Sequence, residues 1–142
     1  MGGLATITPA AGYVSPLAAV VIGCAAGAVC YYAVALKNRL RLDDALDVWG
    51  VHGVGGVLGI LALGVLGSTQ FNPAGTNGLL AGNANFFLVE LGAVVLAVIW
   101  ALGFTFGMLW VIDRITTIRV TAETEAGGLD EGLHGEAAYE GI

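Results

Sequence analysis

The stretch "LDVWGVHGVGG", residues 46–56, holds one histidine in a run with almost no other polar side chain. A neutral imidazole supplies one hydrogen-bond donor and one acceptor, and it titrates near neutral pH. Such a group can help a polar solute or a proton through apolar surroundings, or it can simply bond to a neighbouring helix. The run continues as "VLGILALGVLG" to Gly67, so His52 lies inside a segment suited to lipid. Ionisable groups there are costly and tend to mark substrate paths or proton relays. Just upstream, "DDALD" places Asp44 and Asp47 three apart. That is the spacing of a helix N-cap followed by an acid in the first turn, where both complement the helix dipole. A functional share for these acids, beside capping, stays open.

The elements that carry these residues follow from composition. The 142 residues are 57% hydrophobic and only 11% charged, with 23 glycines. The mean hydropathy is +0.85. This is too apolar for an ordinary soluble domain and indicates a membrane protein. The net charge of -6 is unevenly spread, since Glu123, Glu125, Asp130, Glu131, Glu136 and Glu140 all fall in the last stretch of the chain. No basic patch points to nucleic acid, and no cofactor, metal site or enzymatic activity is expected. Cys24 and Cys30 are separated by roughly 9 Å along a helix, too far to bridge. They are read as small core or lipid-facing residues.

A transmembrane helix needs roughly 20 apolar residues. Three segments qualify, about 16–36, 45–67 and 86–116, with a partial helix over 1–14. The third exceeds the minimum and is expected to tilt or project. Residues 1–118 thus form a transmembrane region, and 119–142 an acidic tail. Lys37, Arg39 and Arg41 follow the first span, Arg114 and Arg119 follow the third, and residues 68–85 carry no basic residue. The positive-inside rule therefore puts 37–44 and the C-terminal tail in the cytoplasm of a multi-pass cell-membrane protein. Asn83 or Asn85 is expected to cap the third span, with Glu90 near its N-terminus. Gly23 and Gly27, and a series from Gly50 to Gly67, supply small residues at the spacing that lets helices approach closely in lipid. Their density around His52 suggests a narrow passage that the imidazole could reach.

At this point the residues resemble a known family. "DDALDVWGVHGVGG" looks like the segment carrying the second pore histidine of the ammonium transporter (Amt/MEP/Rh) family. "ITPAAGYVSP" resembles the end of that family's eighth helix. "RVTAETEAGGLDEGLHGEAAYEGI" resembles the cytoplasmic tail of the Amt branch. The three motifs stand in family order and spacing and together cover essentially the whole chain.

The resemblance implies an all-α membrane protein of eleven helices, in two inverted halves plus a long last helix, assembled as a homotrimer with one pore per subunit. This chain would supply the end of helix eight, helices nine to eleven and the tail. The resemblance also implies that paired histidines, one from each half, hydrogen-bond ammonium or ammonia in an apolar pore. His52 matches the second of the pair. Asp44 matches the counterpart of an acid eight residues before the first histidine, with Asp47 and Trp49 as weaker supporting residues. Arg119, Leu129, Asp130, His134, Gly135 and Tyr139 match the tail, which the resemblance places across the cytoplasmic face, coupling subunits and meeting the PII signal protein. Where the Amt branch of plants carries a regulatory threonine, this tail has Glu131, Gly132 and Leu133. The first half and its histidine are expected to be missing, so the isolated chain is expected not to conduct. The alternative is a membrane ammonium sensor or docking module that acts through its tail. Composition alone would leave that tail disordered.

Overall fold

The computed structural model of the chain describes residues 1–136, and among them it is helical with no strand. It divides into two units, Met1–Val98 and a second from Ile99 onward. Among the described residues, three helices are long and apolar enough to cross a membrane.

In the first unit, α1 (Gly2–Ile7) tightens into a 3-10 turn over Thr8–Ala10, where Pro9 has no N–H to continue the helix. The second helix, α2 (Pro16–Arg39), starts cleanly because the Ser15 side chain accepts the Ala18 N–H at 3.1 Å and Pro16 occupies its first turn. It runs past the expected end at 36 to include Lys37 and Arg39, basic residues that suit a helix C-terminus. The third, α3, covers Trp49–Leu66. It begins later than the expected residue 45 because Asp47 sits at φ 56, a left-handed conformation that interrupts a helix. Its first stretch, Trp49–Val54, is wound as a π-helix, and Gly55–Leu66 is ordinary α-helix. The fourth, α4 (Ala84–Ile115), is capped by Asn83, whose side-chain carbonyl accepts the Phe86 N–H at 3.1 Å.

The connection between α3 and α4 is tied down by its own backbone. Ser68 N–H donates to the Tyr13 carbonyl at 2.9 Å and Gly78 N–H to the Gly67 carbonyl at 2.7 Å. The Asn77 side chain accepts from Thr69 N–H at 2.9 Å. Beside it, Ala10, Val14 and Ile22 form a buried cluster packed against Ile7, Ala62 and Leu63.

The other helices of this unit close on α3 through its glycines. A Cβ on Gly50 would lie 2.8 Å from Val34 Cγ2 of α2. One on Gly55 would lie 2.8 Å from Thr6 Oγ1, and one on Gly59 would collide with the Thr6 carbonyl, both of α1. On Gly64 it would meet Phe87 of α4 at 3.2 Å. Four buried glycines therefore give three helices access to one backbone. The Gly23 and Gly27 pair of α2 does not take part, since a Cβ at either meets nothing within 4 Å. Cys30 is buried against Gly2, and Cys24 is exposed.

In the second unit, Trp100 and Phe104 stack with centroids 5.8 Å apart, and the Arg114 guanidinium lies 4.5 Å from the Trp110 ring centroid. Beyond Ile115 the tail is not featureless. Thr121 caps a short helix, α5 (Ala122–Gly127), by accepting the Thr124 N–H at 3.2 Å. A π-helical turn then spans Asp130–His134 and ends on left-handed Gly135.

Candidate functional site

The approach to α3 is built around Lys37. Its side chain is buried at the end of α2, which would be unfavourable for an ammonium without partners. Two partners are present. Nζ donates to the Asp44 backbone carbonyl at 2.6 Å and to Asp47 Oδ1 at 2.5 Å. Sequence reasoning counted Lys37 only as an orienting charge, and no motif marks its distance from Asp47. The left-handed backbone of Asp47 accompanies this ion pair. Asp47 is thus not an acid inside the first turn of the helix, as its spacing suggested. It is the anion that holds Lys37.

Asp44 caps the helix from further upstream than expected. Its two carboxylate oxygens accept the N–H groups of Val48 at 3.0 Å and Trp49 at 2.8 Å. The Trp49 N–H holds the Asp44 carboxyl below the usual carboxylate range. Desolvation opposes the shift, while the Val48 N–H and the Lys37 charge reinforce it. Two orphan amides at the start of α3 are thereby satisfied by one ionised group.

His52 follows on the π-helical turn and is exposed. π-turns are uncommon and occur frequently at functional sites. This one is fixed from behind at two points, by Gly50 on Val34 and by Gly55 against Thr6 and Cys30. Thr6 is fully buried and its hydroxyl lacks a hydrogen-bond partner. Within this chain the glycines nearest His52 meet no neighbouring helix. A Cβ on Gly53 would meet only the Trp49 ring, at 3.7 Å, and one on Gly56 would meet nothing within 4 Å. The close approaches belong to Gly50, Gly55 and Gly59. Glycine density in the sequence could not separate the two faces of α3.

Trp49 is exposed, contributing its backbone N–H to Asp44. Of the tail residues, Arg119 lines a surface hollow with Trp110, Asp113 and Ile118. Leu129 and Leu133 are exposed, Asp130 and His134 bound the π-turn, and Tyr139 lies outside the described residues. No group of three or more potential metal ligands occurs among the described residues.

The chain is similar in sequence and in fold to known proteins. The sequence is 40% identical to the ammonium transporter of Bacillus subtilis, over 99% of this chain and 35% of that protein. It is also 40% identical to the ammonium transporter Amt1 of Archaeoglobus fulgidus, over 98% of this chain and 35% of the relative. The chain thus spans about a third of the length of these curated relatives. Among solved structures it resembles Mep2 of Saccharomyces cerevisiae, with a TM-score of 0.79 and 35% identity over 86% of this chain and 29% of that one. The Mep2 of Candida albicans gives a TM-score of 0.78 at 33% identity, over 86% of this chain and 28% of that one. The sequence profile of the Ammonium Transporter Family matches residues 1–139. With the match extending over nearly its whole length, the chain belongs to the Ammonium Transporter Family.

Proposed function

We propose that these residues form the C-terminal portion of an ammonium transporter, with His52 lining the substrate path. The observation that supports this reading most is the placement of His52. It is exposed on an apolar spanning helix, on a π-turn braced by α1 and α2 and capped by an ionised Asp44. Nothing about lipid contact alone calls for that arrangement. A bare ammonium ion is expensive in a low-dielectric passage, whereas ammonia needs only hydrogen-bond partners. An exposed imidazole in an apolar wall supplies both a donor and an acceptor.

The opposite wall, with a second histidine, is proposed to come from the other half of the transporter. The exposed apolar side chains of α2 and α4, among them Leu17, Val21, Leu88 and Leu96, then face lipid or neighbouring helices of a homotrimer. The tail is proposed to be cytoplasmic, on the side of Lys37, Arg39 and Arg41, where it couples subunits and meets PII signal protein. The capped α5 and the turn at Asp130–His134 support a docking role as well, and a sensor acting through the tail is the second reading.

Expression in cells lacking ammonium transporters tests the first reading. A family-length protein containing these residues is expected to restore growth on limiting ammonium, and residues 1–142 alone are expected not to. Rescue by the short chain alone would show that no second wall is needed. Failure of the family-length protein, when present in the membrane, would favour the sensor.

A further inference from the structure

We infer that Lys37 is a positioning residue for the substrate path: its buried ammonium sets the entry of α3 and thereby the register in which the π-turn presents His52. This rests on the reading of His52 as a lining residue.

The connection is continuous through named contacts. Lys37 lies at the end of α2 with its Nζ on the Asp44 carbonyl and the Asp47 carboxylate. Asp44 in turn receives the N–H groups of Val48 and Trp49, the latter being the first residue of the π-turn. One residue further, Gly50 rests on Val34, which is on the same helix as Lys37. The first turn of α3 is therefore located on α2 twice, by a charge and by a backbone contact. His52 is two residues beyond the second contact.

A π-turn contains one more residue than an α-turn of the same span, so the angular position of His52 depends on where the turn begins. Without the ammonium, Asp47 loses the partner beside its left-handed backbone, a conformation unfavourable for a residue with a side chain. The loop can then relax toward ordinary helix, and the face that His52 occupies rotates with it. A buried ammonium with two short, charge-assisted bonds is suited to oppose that relaxation.

The test uses the family-length transporter containing these residues, with Lys37→Met, His52→Ala and the double variant compared at equal membrane abundance. The ratio of ammonium to methylammonium uptake is the deciding readout, because it does not depend on how much of the protein is active. Lys37→Met is expected to change this ratio by about threefold or more, as displacing a group in a substrate-sized passage does. Its maximal uptake is expected to fall as well. The double variant is expected to have the ratio of His52→Ala alone, because the two residues act on one feature. An unchanged ratio in Lys37→Met would overturn the inference, even if uptake falls, and would leave Lys37 a clamp between helices. A wild-type rate and ratio in His52→Ala would instead remove the reading on which the inference rests. If His52→Ala conducts too little to measure, the ratio in Lys37→Met decides alone.

Discussion

The backbone carbonyl of Thr6 lies so close to the α-carbon of Gly59 that no side chain fits between them. Gly59 also faces the Pro9 ring, 3.2 Å from where a Cβ would stand, so it is confined by two rigid groups. Relief would require α1 to move as a unit. Gly59→Ala is therefore expected to cost about 2 kcal/mol or more through overpacking. Gly56→Ala, on the open side of the same helix, is expected to be nearly neutral. Thermal unfolding of the two variants in detergent checks the contrast.

The ion pair at the end of α2 is asymmetric, with 7% of the Lys37 side chain exposed against 40% for Asp47. Removing the carboxylate in Asp47→Ala strands a buried ammonium on one carbonyl, at a cost of about 3 kcal/mol. Removing the ammonium in Lys37→Met leaves a carboxylate that water can reach, at a cost of about 1 kcal/mol. Melting temperatures should fall in that order, with Asp47→Ala the lower.

Asp44 gives a pH signature. Its carboxyl is held below the ordinary value of 3.8 in the folded chain, chiefly by the Trp49 N–H. A lowered acid contributes stability above its unfolded pKa and loses it as pH falls through the folded one. Asp44→Asn is accordingly expected to melt below the unsubstituted protein by a constant margin from neutral pH to about pH 5, and the margin should shrink below about pH 4. Melting curves across that range provide the check.

On the proposed coupling role of the tail, deleting residues 123–142 from the family-length protein is expected to lower transport without dispersing trimers. Uptake at equal membrane abundance, with and without the tail, measures the effect.

The three spanning helices were legible because runs of apolar residues between charged or Gly/Asn-rich breaks leave few other options in a chain this hydrophobic. Asn83 was readable, beside Asn85, as a helix start for the same local reason, whereas the Ser15 cap of α2 emerges only in the structure. The family was legible from "DDALDVWGVHGVGG", "ITPAAGYVSP" and the tail together. The start of α3 was not. Asp44-x-x-Asp47 has the form of a cap and first-turn acid, but Asp47 is left-handed and pairs with Lys37, a tertiary contact that local spacing does not show. The π-turn is invisible to a 3.6-residue pattern, because residues 49–54 are apolar on nearly every side. Nor does spacing show which glycine meets a neighbour. Gly50, Gly55 and Gly59 do, and Gly23, Gly27 and Gly56 do not.

The central claim, that His52 lines the path of ammonium, is tested most directly by flux through the family-length transporter carrying His52→Ala, reconstituted in liposomes at equal abundance. Ammonium and potassium fluxes are recorded together, with trimer content as the control for assembly. The expected result is altered ammonium conduction with intact trimers, accompanied by a leak of potassium that the unsubstituted protein does not show. The same ammonium rate and the same exclusion of potassium in both proteins would contradict the claim and return His52 to the role of a packing residue.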